Sequence, residues 1–508
     1  MLDWTIYLSF LGAGLILCLP REQKALIRWI ALASGLLGLG LALGAWWSYN
    51  AAVPELTKQV ALASDPIRAA FRVVCDVPWI PSLKVSYFLA YDGINLPLVV
   101  LNGFICVTGI LFSWNIEHRT KEFFAFFLAL IGGVYGVFLA MDLFLLFVFY
   151  ELAIIPKYFI IAIWGSTRKE YGAMKLVLYS FVGSAAALLG ILALYVKSGG
   201  AAGPGFDLLA LKDFKFTPEF QFWCFPLVFV GFAVLAGMWP FHSWAPTGHV
   251  AAPTAASMLL AGVVMKLGAY GCLRVGMMLM PIGAKEWAFP LGVIAVINII
   301  YGAAVAWVQR DFKFVIGYSS VSHMGFVLLG LMTLTTIGLD GAVLQMFSHG
   351  IIAGLLFAVV GRMVYDRTHT RVLAELQAMR LCDIMPFAAV TFVLAGAASM
   401  GVPGFSGFVA ELQVLIGVWR AFPWLAIACG FGIVLTFAYT LQTILRAFYG
   451  ERRVADEAGL RDMPPISPPE KIAATILIAL TIIVGIYPNC LLNMIHLSIQ
   501  PLVTLLAK

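Results

Sequence analysis

Long apolar runs separated by short polar segments dominate the chain and predict its elements. Each run holds about 20 mostly apolar residues, the length that an α-helix needs to cross the hydrocarbon core of a bilayer. The stretch 48–94 is polar and aromatic instead and is a candidate for the membrane surface. The pattern predicts roughly fourteen spans, near residues 3–19, 25–47, 95–114, 122–140, 143–164, 174–196, 222–246, 254–280, 287–308, 313–333, 338–365, 382–417, 423–447 and 472–506, the last either one helix or two pieces broken near Pro488.

Two of these spans carry helix-breaking residues at matching places. The seventh contains Pro240 and Pro246, and the twelfth contains Gly401 and Pro403. Proline removes a backbone donor, so both spans are predicted to break within the membrane, at Pro240 and Pro403. Each break falls in the fourth helix of a five-helix block, spans 4 to 8 and spans 9 to 13. This spacing predicts an inverted structural repeat, as in membrane transporters.

The predicted fold class is therefore an all-α polytopic membrane protein with two inverted five-helix repeats and broken helices 7 and 12. The chain divides into four predicted parts. Residues 1–121 form three N-terminal helices and a surface loop. Residues 122–280 and 281–448 form the two repeats, and residues 449–508 form a C-terminal loop and helix.

Composition agrees with a lipid environment and excludes several function classes. Apolar residues make up 62% of the sequence and charged residues only 11%, against about 25% charged residues in soluble domains. The net charge of +6 is spread without a basic cluster, so nucleic-acid binding is not expected. The eight cysteines form no CxxC or Cys/His cluster, so the sequence predicts neither a metal site nor an iron–sulfur site.

Loop charges predict the orientation of the chain. If the N-terminus is outside, the loops that face the cytoplasm hold more Lys and Arg than the loops on the outer side. The positive-inside rule therefore favours both termini on the outer side. The first run lacks an AxA-type cleavage site and is expected to remain as a helix.

Several ionisable residues lie at membrane depth, where each charge costs roughly 2.5 to 3.5 kcal/mol to insert. An isolated buried Lys or His is most often a snorkelling or hydrogen-bonded structural residue. A series in successive spans instead suggests proton transfer, because burial and neighbouring charges bring Lys, Glu and His within range of neutral pH. The series comprises Glu151, Lys157, Lys175, Lys266, His323, His349 and Glu411.

Other polar residues near the spans are weaker candidates for a role in proton transfer. His242 and His249 flank the break of the seventh span, where they would either cap freed backbone groups or line a path inward. Asp311 and Lys313 flank the start of the tenth span and are expected at the interface. Arg274 follows Lys266 by eight residues and is expected at the far membrane interface.

Residues 85–490 resemble the antiporter-like subunit M (ND-four type) of respiratory complex I, the proton-pumping NADH:quinone oxidoreductase. The resemblance rests on six segments in order along the chain: "FYELAIIPKYFIIAIWG", "PFHSWAPTGHVAAPTAASMLLAGVVMKLGAYGCLR", "RDFKFVIGYSSVSHMGFVLLG", "QMFSHGIIAGLLF", "HTRVLAEL" and "GVPGFSGFVAEL". Related folds occur in cation/proton antiporters and membrane hydrogenases.

The resemblance implies a role for each matched residue. Glu151 corresponds to the acid of the fifth helix that tunes a partner lysine, and Lys266 to the lysine that connects two half-channels. His323 and His349 correspond to histidines along a hydrated central axis. Glu411 corresponds to the terminal acid of the broken twelfth helix. A lysine also recurs at Lys175, near the place where protons would enter.

Two positions depart from the family pattern. Leu235 stands where the family usually has a lysine, the partner of the fifth-helix acid. Lys157 stands where the family usually has Met or Thr. We hypothesise that Lys157 replaces the missing lysine. In a regular helix Glu151 and Lys157 would lie 120° apart and about 9 Å along the axis, unless Pro156 alters the turn. The alternative is a structural role, in which Lys157 snorkels or pairs with a neighbouring subunit.

The resemblance implies a proton-translocating membrane-arm subunit of complex I, driven by quinone reduction elsewhere in the complex. This chain would bind no cofactor, and NADH, FMN, iron–sulfur clusters and quinone would belong to partner subunits. Expected partners are other membrane-arm subunits, the antiporter-like subunits L and N or a paralogue, and lipids, in a bacterial inner membrane. Two alternatives stay open: a subunit of a cation/proton antiporter, and a non-pumping scaffold of the same complex, for which Leu235 is the main argument.

Overall fold

A computed structural model describes residues 1–451 and 463–507, and these form a bundle of membrane helices. The basic residues that the sequence places in the loop 452–462 lie outside the described part. The helices follow the predicted apolar runs, and π-helical turns interrupt some of them. In chain order the elements are α1 Asp3–Cys18, α2 Lys24–Leu62, α3 Pro66–Ala70, β1 Arg72–Ile80, β2 Val85–Tyr91, α4 Asn95–Phe112, α5 Thr120–Leu139, α6 Leu143–Leu152, α7 Ile154–Trp164, α8 Lys169–Lys197, α9 Leu208–Asp213, α10 Pro218–Ala236, α11 Trp244–Ala251, α12 Thr254–Leu259, α13 Met265–Gly271, α14 Pro281–Val308, α15 Phe312–Met332, α16 Thr336–Ala358, α17 Asp366–Thr368, α18 Leu373–Met379, α19 Leu381–Ile384, α20 Pro386–Ser399, α21 Ser406–Ala421, α22 Pro423–Phe448, α23 Pro468–Ile486 and α24 Asn489–Ala507, with π-helical segments at Leu260–Val264, Cys272–Met277 and Val359–Tyr365.

Thirteen helical stretches of the described chain are long and apolar enough to cross a membrane. The prediction of a helical polytopic membrane protein is thereby confirmed. Polar residues at the ends of the apolar runs fix where several spans begin, because their side chains accept hydrogen bonds from the first backbone N–H groups of the helix. These capping residues are Asp142 for α6, Thr217 for α10, Asp311 for α15 and Thr335 for α16.

The last helix, α24, lies across one face of the bundle, although by length and composition it could cross a membrane. Nδ1 of its His496 lies 2.8 Å from Oδ2 of Asp340, near the start of α16. Near the other end of α24, the Ala507 carbonyl accepts a hydrogen bond from Lys285 at the start of α14, also at 2.8 Å. Both partners stand where a span begins on the same face, so α24 is a surface helix. The predicted last run is therefore two helices, of which only α23 crosses.

The same face carries the beginning of the chain and a β-hairpin. Strands β1 and β2 pair antiparallel around a turn in which Lys84 adopts a left-handed conformation. Tyr7 of α1 stacks on Tyr87 of β2, with ring centroids 6.5 Å apart. We call this face the N-terminal face. It is defined by the first residues of α1, by the hairpin and by α24. The sequence of residues 48–94 predicted neither the hairpin nor the extension of α2 to Leu62.

Charged residues concentrate in the loops of the opposite face, which contains residues 19–23, 113–119, 165–168, 309–311 and 369–385. There Glu117 accepts hydrogen bonds at 2.6 Å from both Lys24 and Arg28. These two cations hold the pKa of the Glu117 carboxyl below its usual range. Ion pairs of this exposed kind contribute little stability individually. They indicate that this face of the bundle is in contact with water.

Candidate functional site

The seventh span is broken at its predicted position. Helix α10 ends at Ala236, Gly237 adopts a left-handed conformation with φ of +81°, and α11 begins only at Trp244. Asn298 of α14 accepts a hydrogen bond from the Trp239 N–H at 2.7 Å. The Asn298 amide also donates to a backbone carbonyl of α15 at 2.8 Å. One buried amide thus satisfies a backbone group that the break leaves without a helical partner.

The twelfth span is broken as well. Helix α20 ends at Ser399 and α21 begins at Ser406, and the turn around Pro403 contains Gly401 and Gly404 with φ of +70° and +97°. L-residues with a side chain rarely adopt such φ values, so glycine suits both positions. The break places the N-terminus of α21 inside the bundle, and Glu411 follows in its second turn.

The fifth span is interrupted between its two charged residues. Helix α6 ends at Leu152 and α7 begins at Ile154, so Glu151 and Lys157 lie on different helical segments. Pro156 explains the interruption, because it cannot donate the hydrogen bond that the Leu152 carbonyl would accept in a regular helix. The angle expected for a regular helix therefore does not apply to this pair.

Lys266 lies at the centre of the eighth span, in α13, between two π-helical segments. Its side chain is fully buried. Nζ donates a hydrogen bond to the Ala261 carbonyl and lies 2.8 Å from Nδ1 of His349 on α16. Local π-helical turns often occur at functional sites because they redirect side chains from a regular helix.

Two histidines connect this lysine to the broken twelfth span. The rings of His349 and His323 lie 5.4 Å apart between centroids. Nδ1 of His323 lies 2.9 Å from Oε1 of Glu411, and its Nε2 lies 3.0 Å from the Ser399 hydroxyl. Gln345 donates a hydrogen bond to the same Glu411 oxygen at 3.1 Å. All of these side chains are buried.

Four residues singled out in the sequence thus form one continuous series: Lys266, His349, His323 and Glu411. They come from four different spans. The sequence analysis missed Gln345 and Ser399, which hold the last members of the series in place. Uncharged Gln and Ser are common in spans and gave no signal of their own. We call Lys266, His349, His323 and Glu411 the central series.

Glu151 and Lys157 form a separate group. Lys157 is 1% exposed, and its Nζ has no hydrogen-bond partner within the described chain. Glu151 is only partly buried, faces Ser184, and interacts electrostatically with Lys157. Leu235, at the position where a lysine was expected, is buried. The structure therefore gives this lysine an acidic neighbour but no direct polar contact with Lys266.

Lys175 lies apart from both groups, on the seam between α8 and α11. Its Nζ donates a weak hydrogen bond to the Thr247 hydroxyl at 3.4 Å and lies over the rings of Tyr171 and Tyr179 at 5.8 and 5.9 Å. These contacts keep the partly buried ammonium at the end of its span near the opposite face. They fit the snorkelling interpretation as well as a role in proton uptake.

His249 lies between Lys266 and the opposite face. It is fully buried, and neither ring nitrogen has a hydrogen-bond partner in the described part of the chain. It interacts electrostatically with both Lys266 and Lys313. Lys313, expected at the interface, is buried, and its Nζ donates to the Ala252 carbonyl at 2.9 Å. Lys313 also lines a cavity of about 330 Å³ on the opposite face.

The chemistry available here is proton transfer. The amine of Lys266 stands at hydrogen-bond distance from one imidazole and the Glu411 carboxylate from the other, as transfer by acid–base groups requires, and a water molecule would have to join the two imidazoles. Among residues 1–451 and 463–507, no group of three or more His, Cys, Asp and Glu side chains could hold a metal ion.

Comparison with known proteins places the chain in a family. The family described as "NADH:quinone oxidoreductase/Mrp antiporter, TM" matches residues 140–436. A NAD(P)H-quinone oxidoreductase chain 4 of Picosynechococcus sp. is 38% identical over 87% of this chain and 78% of the relative. NADH-quinone oxidoreductase subunit M of Rhodobacter capsulatus is 36% identical over 90% of both chains. A chain of respiratory complex I from Thermus thermophilus superposes with a TM-score of 0.86 and 25% identity over the full length of both chains. The chain therefore belongs to the antiporter-like membrane subunit family that includes subunit M and chain 4 of the NADH and NAD(P)H quinone oxidoreductases.

Proposed function

We propose that this chain translocates protons as a membrane-arm subunit of an NADH:quinone oxidoreductase and that the central series carries them. The observation that supports this most strongly is the run of buried groups from Lys266 through His349 and His323 to Glu411, in which the two outer links are at hydrogen-bond distance and the two histidine rings are in contact. Structural residues at membrane depth do not need to be connected in this way. A relay does, because a proton moves only between groups at hydrogen-bond distance or linked through water.

In this proposal each step has a direction. The ammonium of Lys266 donates a proton to Nδ1 of His349, which leaves a neutral amine and an imidazolium. The imidazolium passes the proton through a bridging water molecule to Nε2 of His323, and Nδ1 of His323 gives its own proton to the Glu411 carboxylate. Hydrogen bonds from Ser399 to the His323 ring and from Gln345 to the Glu411 oxygen hold these two side chains in place. A positive charge brought close to Lys266 would drive the first step by electrostatic repulsion.

We propose that Lys266 is reloaded from the opposite face through Lys313 and His249. The cavity beside Lys313 is open to water on that face, and the unpartnered ring nitrogens of His249 are able to accept and release a proton. His249 is close enough to interact electrostatically with both Lys313 and Lys266. This path does not use Leu235, so the missing lysine of the seventh span does not interrupt it.

Glu151 and Lys157 form the second functional group in this proposal. They lie on either side of the interruption at Pro156, and Lys157 takes the place of the lysine that the family has at Leu235. Lys175 belongs to the same side of the bundle and supplies protons from the opposite face. A change in the charge of Glu151 or Lys157 would set the timing of transfer in the central series.

The chain has no redox site of its own in this proposal. NADH, FMN, iron–sulfur clusters and quinone belong to partner subunits, and the neighbours in the membrane are other antiporter-like subunits. The opposite face is cytoplasmic because it carries the basic loops, so the N-terminal face and both chain ends lie outside a bacterial inner membrane. Protons then move from the cytoplasm to the outside. The enzyme activity of the chain is that of a translocase subunit.

The test uses the whole complex reconstituted in liposomes, with protons translocated per NADH oxidised as the readout. In His349→Gln, the amide oxygen still accepts the hydrogen bond from Lys266, but the side chain cannot carry a proton. We expect a lower ratio of protons to NADH. The matched control is His369→Gln, an exposed histidine on the opposite face that does not line the cavity beside Lys313, which should keep the wild-type ratio. A wild-type ratio in His349→Gln would refute the relay.

The antiporter alternative makes a different prediction. A cation/proton exchanger would move protons in response to a Na⁺ or K⁺ gradient without NADH. We expect no such exchange from the reconstituted complex. The family description includes Mrp antiporters, which is why this control belongs with the main test.

A further inference from the structure

A buried ion pair lies between Lys266 and the N-terminal face. Arg274 and Asp92 pair directly, and each side chain is 2% exposed. Arg274 follows Lys266 by eight residues on the eighth span, which corresponds to about 12 Å along a helix. The relay from Lys266 to Glu411 does not involve this pair. It occupies the direct path by which a proton on Lys266 could leave toward the N-terminal face.

Aromatic rings enclose the guanidinium. Its Cζ lies 4.9 Å from the ring centre of Phe71 and 5.7 Å from that of Tyr270. The Tyr270 hydroxyl donates to the Phe138 carbonyl at 3.0 Å, which fixes the ring between Lys266 and Arg274. These two rings fill space next to the cation that water would need.

Backbone N–H groups compensate the acid of the pair. Asp92 Oδ1 accepts hydrogen bonds from the N–H groups of Ile94 and Asn95 at 3.0 and 3.2 Å, at the N-terminus of α4. The positive end of the helix dipole therefore also faces this carboxylate. The carboxylate is thus neutralised from two directions, and the positive charge of Arg274 is not fully cancelled.

The surface helix α24 covers the pair from outside. The Gly93 N–H donates to the Ser498 hydroxyl at 2.9 Å. A Cβ at Gly93 would overlap the Met494 carbonyl group, so α24 packs directly on the backbone beside Asp92. The helix therefore covers the backbone next to the acid of the pair.

The two sides of Lys266 therefore differ. Toward the opposite face lie the unpartnered His249 and the cavity at Lys313. Toward the N-terminal face lies a charged pair that is closed by aromatic rings and a surface helix. A buried ion pair is weak evidence for stability, because apolar residues of similar volume often serve as well. A fixed positive charge does have a specific effect on protons, which it repels electrostatically.

We propose that the Arg274–Asp92 pair is the seal that closes Lys266 off from the N-terminal face. A proton on Lys266 then has no direct exit toward the N-terminal face, so outward transport proceeds through His349 along the central series. This inference rests on the proposed function of Lys266. Arg274 acts as a positioning residue for the route and does not carry the proton.

The test is passive proton leak into liposomes that contain the whole complex, driven by a potassium diffusion potential without NADH. The variant is Arg274→Gln with Asp92→Asn, a neutral polar pair that keeps hydrogen bonding and admits water. We expect the leak to rise roughly tenfold, equivalent to lowering a barrier by about 1.4 kcal/mol. Adding Lys266→Met should return the leak to the wild-type value.

The matched control is Lys212→Gln with Asp65→Asn, which removes an ion pair of 3.0 Å on the same face but away from Lys266. We expect the proton leak of this variant to equal that of the wild type. An assembled Arg274→Gln/Asp92→Asn complex that does not leak would overturn the proposal. A leak that persists with Lys266→Met would also overturn it, because the protons would not have passed through Lys266.

A second variant covers the case in which the double variant does not assemble. Histidine at Arg274 is charged at low pH and neutral at high pH. Arg274→His should therefore be tight at pH 5.5 and leaky at pH 8, and a leak that does not change with pH would refute a seal made by charge. Failure of the proposed function would appear elsewhere, as an unchanged ratio of protons to NADH in Lys266→Met.

Discussion

Glu411 allows the structural and the proton-carrying roles of a buried acid to be separated. Its Oε1 is 2.9 Å from Nδ1 of His323 and accepts a hydrogen bond from Gln345 at 3.1 Å. Hydrogen bonds to a charged group contribute about 1.5 to 3 kcal/mol each. Glu411→Ala removes both and leaves two buried donors unsatisfied, so we expect it to lose about 3 to 6 kcal/mol of stability.

Glu411→Gln preserves the shape of the side chain and one oxygen acceptor. It loses the charge that strengthens both hydrogen bonds, for which we expect about 1 to 2 kcal/mol. The amide cannot take up a proton. The two substitutions should therefore differ strongly in stability but agree in function, because neither side chain accepts a proton from His323.

The assay combines two measurements on each purified complex. The thermal unfolding temperature should fall in the order wild type, Glu411→Gln, Glu411→Ala. The ratio of protons to NADH in liposomes should fall in both variants. Wild-type coupling in Glu411→Gln would mean that Glu411 only holds His323 and Gln345 in place, and the reasoning about its role would be wrong.

Substitutions at three further positions test separate parts of the account. Lys157→Met should lower the ratio of protons to NADH if Lys157 replaces the lysine absent at Leu235, and full stoichiometry would refute that replacement. Asn298→Ala should lower the unfolding temperature of the complex, because the buried Trp239 N–H loses its acceptor at a cost of about 1 to 3 kcal/mol; an unchanged temperature would contradict this. Glu470 is 1% exposed and pairs with two arginines at 2.7 and 2.8 Å. Glu470→Ala should destabilise the complex by about 3 kcal/mol, and Glu470→Gln by clearly less, both read from the unfolding temperature.

The sequence predicted the spans well because each is a run of apolar residues, and several begin at a polar cap. It could not predict the path of the last run, since α24 has the length and composition of a span. Its position on the surface follows from its contacts with Asp340 and Lys285, which the sequence does not reveal. The hairpin of β1 and β2 was also missed, because a short two-stranded sheet at a membrane surface has no strong periodic pattern.

The candidate residues were predictable one by one, and their arrangement was not. Charged and imidazole side chains stand out in apolar runs, so Lys266, His323 and Glu411 were identified from sequence. The contact between Lys266 and His349 joins residues 83 positions apart, and no local pattern encodes it. Asn298, which holds the break of the seventh span, carries no charge and gave no signal.

Lys266→Met tests the central claim most directly, because this lysine is the first member of the central series and the only lysine in it. The measurement is protons translocated per NADH oxidised by the whole complex in liposomes, beside Lys58→Met, an exposed lysine near the end of α2 that lies outside the series. The account predicts a lower ratio for Lys266→Met and an unchanged ratio for Lys58→Met. Equal, wild-type ratios in both variants would contradict it and leave this chain as a scaffold of its complex.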